Sequence, residues 1–243
     1  GIADGCEMAG CALIGGEMAE HPGVMDPNEY DLSGFTVGIV DRPAMIGPAR
    51  VQDGDVLIGL ASSGLHSNGY SLARKVCTEG KTLYELTIAR DELEGDSVLD
   101  ALLEPTRIYV KSIRSVLLQC PGAIHSLAHI TGGGITENLN RALPSTLDAE
   151  IQVGSWNMVP ILPWVCRAAH LNETEALKTF NMGLGMILAV APQKAEEVAQ
   201  LLADAGEEVY IVGQVVPGVG KVVYLDEEEL FAAYSEDEEA EED

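Results

Sequence analysis

The feature that most constrains the fold is a repeated pattern: an apolar run, a polar turn that contains glycine, and then a helical segment. The first copy has its apolar run at 55–60 and its helical segment from Tyr70 to Val76. Between them lie Ser63, Gly64, His66, Ser67, Asn68 and Gly69. Backbone N–H groups at such a turn attract anions such as phosphate, and His66 is the side chain that most readily exchanges a proton near neutral pH. The alternative interpretation is a connecting loop with a polar helix N-cap.

The same pattern occurs twice more. After the apolar run 123–130, the second copy has the turn residues Thr131, Gly132, Gly133 and Gly134. Glycine lets a backbone approach a ligand closely, because no Cβ intervenes. The third copy ends in Gly15-Gly16 and then presents Glu17 and Glu20. A carboxylate beside a glycine turn suits Mg²⁺, although Glu20 is interpreted as a solvated loop acid. Together the three copies favour a polyanionic ligand.

From Asp55 onward, strand and helix candidates alternate, which predicts a sheet with helices packed against it. Strand candidates lie at 35–40, 55–60, 123–130, 147–153, 185–191, 208–216 and 221–225. Helix candidates lie at 1–14, 69–77, 97–103, 105–119, 135–142, 157–169 and 193–204. Gly15-Gly16 is expected to end the first helix, and Pro105 to begin the fourth. The pattern alone does not separate an α+β fold from a doubly wound α/β fold.

Charge and cysteine content exclude several classes of protein. The net charge is −25 over 243 residues, and it is still −14 without the eleven acids at 226–243, so a nucleic-acid partner is disfavoured. Five scattered cysteines without a CxxC pair argue against a structural zinc site and favour a reducing cytosol, with Cys6 and Cys11 expected in the core. No apolar stretch approaches the ~20 residues of a membrane span. The acidic tail, 227–243, is expected to be disordered.

Five sequence blocks resemble one enzyme family, aminoimidazole ribonucleotide synthetase, also called phosphoribosylformylglycinamidine cyclo-ligase. The blocks are GGEMAEHPG (15–23), SSGLHSNGYSLARK (62–75), EPTRIYVKS (104–112), HITGGGITENLNRALP (129–144) and FNMGLGM (180–186). The resemblance runs from Gly1 to about Val223. It departs from the family at Met18, where Thr is usual, and at Leu65, where Pro is frequent.

The resemblance implies an α+β fold, a layered mixed β-sheet with packed helices, for a C-terminal domain at 46–226. The segment 1–45 would be the end of an N-terminal ATP- and metal-binding domain, and 227–243 the tail. Family members carry a substantial segment before the position that matches Gly1, so the chain is expected to be N-terminally truncated and inactive by itself.

The resemblance also implies a function: ATP-dependent cyclisation of formylglycinamidine ribonucleotide to aminoimidazole ribonucleotide in de novo purine biosynthesis. The expected cofactors are ATP and Mg²⁺, and the expected assembly is a cytoplasmic homodimer without a nucleic-acid or membrane partner. His66 is then the predicted catalytic residue and Glu17 the predicted metal ligand. The predicted substrate- and phosphate-binding residues are Ser63, Gly64, Ser67, Asn68, Gly69, Thr131, Gly132, Gly133 and Gly134.

Other residues and functions stay open. Arg107 and Lys111 lie one helical turn apart and could face either a phosphate or solvent, and His129 is interpreted as a core histidine. One alternative function is a sibling ATP-dependent enzyme of the same superfamily. The other is a truncated, non-catalytic nucleotide-binding domain.

Overall fold

The computed structural model describes residues 1–26 and 28–232, and the chain divides into two units, Gly1–Met45 and Ile46–Asp243. Unit 1, Gly1–Met45, contains the helix α1 (Ile2–Ala9) and a short 3-10 turn, Arg42–Ala44. None of its described side chains is buried. A strand needs a hydrogen-bonded partner, and the described residues of unit 1 form nothing longer than an isolated bridge. The predicted strand at 35–40 is therefore wrong.

The first helix is shorter than the sequence predicts. It ends at Ala9 because Gly10 adopts the left-handed conformation, with φ 67°, and its N–H bonds back to Cys6 and Glu7 carbonyls. Gly15-Gly16 therefore does not end this helix. Cys6 is half-buried and Cys11 is exposed, so the prediction that both pack in a core is also wrong.

Unit 2, Ile46–Asp243, is built around one mixed sheet. Among the described residues its strands are β1 (Val56–Ala61), β2 (Ile124–His129), β3 (Leu147–Gln152), β4 (Leu184–Val190), β5 (Val209–Pro217) and β6 (Val222–Leu225). Their order is β2-β4-β1-β5-β3-β6. Neighbouring strands are antiparallel except β3 and β6, which are parallel. The six corresponding strand predictions and the α+β fold with a mixed sheet are confirmed.

The strand directions decide which loops meet. Both β1 and β2 pair antiparallel with β4, so they run in the same direction and end at the same edge of the sheet. Because β4 and β5 are antiparallel to β1, they begin at that edge. We call it the turn edge. The segments that follow β1 and β2 and those that precede β4 and β5 therefore lie close together.

Helices cover both faces of the sheet. They are α2 (Tyr70–Thr78), α3 (Leu83–Leu86), α4 (Val98–Leu103), α5 (Val110–Gln119), α6 (Gly134–Arg141), α7 (Ile161–Ala168), α8 (Glu173–Thr179) and α9 (Ala195–Asp204). On one face, α5 and α9 bury Ile58 and Leu60; on the other, α2, α6, α7 and α8 bury Leu57 and Ile151. Two helix-covered faces account for the large apolar core of this acidic chain.

One helix start was misplaced and two short helices were missed, each for an identifiable reason. α5 begins at Val110 and not at Pro105, because backbone groups of Pro105 and Arg107 bond to the segment after β1 instead of starting a helix. The short helices α3 and α8 were not predicted. Capping boxes at their N-termini, Thr82 with Glu85 and Asn172 with Glu175, are the sequence signal that could have found them.

The C-terminal end of the described chain packs on unit 2. Glu227–Glu229 forms a 3-10 turn, Leu230 is buried, and the Thr174 hydroxyl donates to Glu227 Oε1 at 2.5 Å. The first residues of the predicted tail are therefore ordered, whereas 233–243 lie outside the described residues. None of the described helices is long and apolar enough to cross a membrane.

Candidate functional site

Three segments meet at the turn edge: the serine turn (62–69, after β1), the glycine turn (131–134, after β2) and the 180–185 loop, whose last two residues begin β4. The Ser62 N–H donates to Gly183 O at 2.8 Å, and the Ile130 N–H donates to Gly185 O at 2.9 Å. The loop thus joins both turns. Asn68 of the serine turn faces the glycine turn, since a Cβ on Gly132 would lie 3.5 Å from Asn68 Oδ1. The structure therefore brings together the two groups of predicted phosphate-binding residues.

Asn181 locks the serine turn to the 180–185 loop. It is completely buried. Its Nδ2 donates to Gly64 O at 2.8 Å, and its Oδ1 accepts from the Gly183 N–H at 2.9 Å and from the Ser62 hydroxyl at 3.2 Å. Sequence reasoning gave Asn181 no role, although it lies in the FNMGLGM block. Its partners fix the shape of the serine turn from beneath.

Asn138, in α6, fixes the shape of the glycine turn as Asn181 fixes that of the serine turn. Its Nδ2 lies within hydrogen-bonding distance of Gly134 O (2.7 Å), Thr131 O (3.2 Å) and Gly132 O (3.2 Å), and the Thr131 hydroxyl donates to its Oδ1 at 3.0 Å. Asn138 was also not predicted. The carbonyls of the turn face the Asn138 amide, so the groups that the turn can offer to a ligand are its backbone N–H groups. Those of Gly132 and Gly133 have no hydrogen-bond acceptor within the described residues.

The three glycines of the turn differ in their surroundings. Gly134 has φ 62°, and a Cβ there would overlap the Leu177 carbonyl of α8. Gly133 has φ 90°, and its Cβ would overlap the Glu137 carboxylate, which lies over the turn. Gly132 is exposed and has room for a Cβ. Gly134 is thus required by packing, whereas Gly132 is the position that a ligand can approach.

His66 is buried within the serine turn and has a φ of 53°. Its Nε2 accepts from the Ser63 N–H at 2.9 Å and from the Arg107 N–H at 3.3 Å. A ring nitrogen that accepts is unprotonated, so the proton resides on Nδ1, which is buried and has no partner in the described chain. Burial, and then the nearby His129 and Arg107, lower the pKa of His66 to about 4.

At neutral pH the imidazole is therefore neutral, and its one lone pair is used by backbone donors. This arrangement favours a positioning role at the serine turn. The prediction that His66 exchanges a proton with a substrate stays a prediction, since such a step requires Nε2 to release both backbone donors.

We expect NMR at pH 7 to find His66 as the neutral Nδ1–H tautomer, with protonation only near pH 4. Because its folded pKa lies below the unfolded value of about 6.5, the unfolded chain binds more protons between these two values. Stability should therefore fall as pH falls through that window, by at most about 3 kcal/mol from this residue. The variant His66→Gln keeps an acceptor but cannot titrate, so its melting temperature should fall less. Equal losses in both proteins would contradict this assignment.

The segment before α5 forms the other side of the serine turn. The Ser63 hydroxyl donates to Pro105 O at 2.7 Å, and the exposed Ser67 hydroxyl lies 3.4 Å from that of Thr106. The Arg107 guanidinium donates through Nε to Glu207 Oε2 and through a terminal nitrogen to Gly206 O, each at 2.6 Å. Arg107 therefore does not lie on a solvated helix face, because its guanidinium is bonded to Glu207 and Gly206. Lys111 is exposed.

Both turns lie in the part of the chain that matches a known protein family. The family model described as "AIR synthase related protein, C-terminal domain" matches residues 52–226. The chain belongs to the AIR synthase related family. Phosphoribosylformylglycinamidine cyclo-ligases of Brevibacillus brevis and Bacillus cytotoxicus are each 49% identical to it, over 92% and 90% of this chain. The predicted family resemblance is confirmed. The chain spans 64% and 62% of the lengths of these two relatives.

Solved structures agree on the family fold. Thiamine-monophosphate kinase from Stenotrophomonas maltophilia superposes with a TM-score of 0.51 at 14% identity, over 76% of this chain and 54% of that one. At such low identity the likeness concerns the fold alone.

The predicted metal site of this chain rests on one residue. Glu17 is exposed in unit 1, and its Oε1 accepts from the Met18 N–H at 3.2 Å. The described residues include no group of three or more His, Cys, Asp or Glu side chains that could hold a metal ion. Mg²⁺ requires six oxygen ligands, so Glu17 does not form a preorganised site by itself. Its role as a metal ligand stays a prediction.

One histidine prediction is wrong. His129, the last residue of β2, is exposed and does not lie in the core. The alternation of β2 explains this result: Ile124, Ser126 and Ala128 are buried, and the side chains between them are not. His129 therefore lies at the turn edge, two residues before the glycine turn begins.

Proposed function

We propose that this chain forms the phosphate-handling part of an ATP-dependent cyclo-ligase, which converts formylglycinamidine ribonucleotide and ATP into aminoimidazole ribonucleotide, ADP and phosphate. Relatives with that activity in their name, at 49% identity over 92% of the chain, support the proposal. The structural observation that carries it is the meeting of the serine and glycine turns at one sheet edge, with Asn68 beside Gly132.

The chemistry explains why two phosphate-binding turns are useful. An amide oxygen is a poor leaving group, so the γ-phosphoryl group of ATP is first transferred to it, which releases ADP. A nitrogen of the same molecule then attacks the activated carbon, the oxygen departs with the phosphate, and the nitrogen loses a proton. The substrate carries its own phosphate ester as well. An enzyme for this reaction must hold two phosphate groups at fixed positions relative to each other. It must also exclude water, because water would otherwise hydrolyse ATP.

The two turns suit this task because each places polar groups directly before a helix. In the glycine turn, the N–H groups of Gly132 and Gly133 lie at the start of α6, where the helix dipole favours negative charge. In the serine turn, Ser67, Asn68 and Gly69 lie directly before α2. We assign ligand contacts to these five residues.

The remaining predicted residues support the turns from within. The Ser63 N–H is bonded to His66, Gly64 is buried against Asn181, and the Thr131 hydroxyl is bonded to Asn138. Gly134 packs against α8. We therefore assign these four residues to the shape of the two turns and not to contact with a ligand.

A fusion protein tests the proposed function. The part of the Brevibacillus brevis cyclo-ligase that precedes the match would be joined to this chain and produced in a bacterium that lacks its own cyclo-ligase. We expect growth without purines, and the purified fusion should form ADP and aminoimidazole ribonucleotide in equal amounts. The matched variant Gly132→Val should abolish growth, while Arg114→Gln, on the exposed surface of α5, should not. A folded fusion that uses ATP with another acceptor but not with formylglycinamidine ribonucleotide would overturn the proposal.

The proposal extends to the conditions and assembly of the enzyme. We propose Mg²⁺ as the ion that accompanies ATP, with Glu17 among its ligands, and a homodimer in the cytoplasm as the working form. Sedimentation of the fusion, and metal titration of Glu17→Gln against the parent, measure these two points directly.

A further inference from the structure

We propose that Glu207 is a positioning residue for the serine turn: its buried carboxylate holds Arg107, whose backbone in turn holds His66 and, through it, Ser63. The inference rests on the proposed function, because it assumes that the serine turn binds a phosphate group. Glu207 lies two residues before the start of β5, so it approaches the turn edge from a part of the chain that no motif marks.

The carboxylate of Glu207 is buried and fully engaged. Its side chain is 5% exposed, against 39% for that of Arg107. Oε2 accepts from Arg107 Nε at 2.6 Å, and Oε1 accepts from the Ser112 hydroxyl of α5. Arg107 also donates to Gly206 O at 2.6 Å. A buried charge is tolerated only with good partners, and here the partners lie on two consecutive segments, one of which is the irregular stretch before α5.

No helix or strand ladder holds that irregular stretch in place. Residues 104–109 form neither helix nor strand. Their contacts instead run to the serine turn, from Pro105 O to the Ser63 hydroxyl and from the Arg107 N–H to His66 Nε2. The Arg107 guanidinium therefore anchors a segment whose backbone forms one side of the serine turn. Without the carboxylate, Arg107 would be free to turn towards solvent, and its N–H would lose its fixed position at His66.

The test compares Glu207→Gln with two variants in the full chain. Glutamine keeps the size of the side chain but removes the charge-assisted bond to Arg107. Ser112→Ala removes the partner of the other carboxylate oxygen and leaves Arg107 in place. Glu197→Gln, in α9, breaks the solvent-exposed pair with Lys194, and neither of these described residues has a hydrogen bond or ion pair to the serine turn.

Amide NMR during a titration with inorganic phosphate supplies the readout. We expect Glu207→Gln to shift the Ser63 and Arg107 amide signals in the free protein and to weaken phosphate binding at the Ser67 and Gly69 amides about tenfold. Ser112→Ala should lower the melting temperature without a comparable loss of affinity, and Glu197→Gln should change neither quantity. If Glu207→Gln does not fold, Arg107→Lys, which keeps the charge but loses the planar fork, should give the same shifts and the same loss.

Two outcomes would overturn the inference. One is a folded Glu207→Gln protein that binds phosphate within twofold of the parent and keeps the Ser63 amide signal in place. The other is a loss of affinity in Ser112→Ala equal to that in Glu207→Gln, which would indicate a purely structural role. If the parent binds no phosphate at the serine turn, the proposed function loses that turn, and the Ser63 and Arg107 signals alone decide whether Glu207 positions it.

Discussion

Alanine at Gly134 should destabilise unit 2 by about 3–5 kcal/mol, whereas alanine at Gly132, two residues away, should change its stability by less than about 0.5 kcal/mol. At Gly134 the new Cβ would overlap the Leu177 carbonyl, and the φ of 62° is strained for any residue with a side chain. At Gly132 neither cause operates. Thermal unfolding should show a fall of roughly 10 °C or more for Gly134→Ala and almost none for Gly132→Ala.

The same pair of variants separates folding from ligand approach. Gly132→Ala places a methyl group on the exposed part of the glycine turn, so it should weaken phosphate binding while the melting temperature holds. Unchanged affinity in a stable Gly132→Ala protein would remove this residue from the ligand site. A Gly134→Ala protein as stable as the parent would show that α8 moves aside more easily than the packing implies.

Aspartate at Asn181 should destabilise the protein by about 3–5 kcal/mol at neutral pH, although it differs from asparagine by one group. The carboxylate could still accept from Ser62 and Gly183, but it would face Gly64 O without a donor, in a fully buried position. Burial should raise the pKa of this carboxyl above its unfolded value of about 3.9, since only the protonated form can donate to Gly64 O.

The destabilisation caused by Asn181→Asp should depend on pH. The folded variant retains its proton to higher pH than the unfolded chain, so the penalty is small in acid and grows as the pH rises above about 4. Melting temperatures of the variant and the parent should therefore differ more at pH 7 than at pH 4.5. Asn172→Asp is the matched control, because asparagine and aspartate serve equally well at the N-cap of α8. A gap between Asn181→Asp and the parent that does not depend on pH would contradict the hydrogen-bond assignment.

Local signals predicted much of this fold. The strands β1 and β2 were found because each is a short apolar run followed by glycine, and the same glycines pointed to the two turns at the sheet edge. The resemblance to a family, and not periodicity, selected the mixed sheet over a doubly wound one. Phe35, Val37 and Ile39 alternate with other residues as a strand requires, yet they stay exposed. Periodicity indicates that a segment could form a strand, but it does not show that a partner strand is present.

The parts that escaped prediction depend on contacts between distant residues. Pro105 is a good first residue for a helix, but the carbonyl beside it accepts from Ser63 instead. Asn181 reaches Gly64 across 117 positions and Glu207 reaches Arg107 across 100, so no short window of sequence contains both partners. The residue type of His66 suggested a proton carrier, and its occupied lone pair is visible only in three dimensions.

Because Asn181 and Gly64 are 117 positions apart, the hydrogen bond between them should form late during synthesis on the ribosome. The serine turn is synthesised well before the asparagine that fixes it, and at roughly 5–20 residues per second the 117 intervening positions take roughly 6–23 s. During that interval β1 also lacks β4 and β5, its two neighbours in the sheet. A nascent chain should therefore acquire the proposed affinity for phosphate late and in one step, once the 180–185 loop has left the exit tunnel and β4 has inserted between β1 and β2.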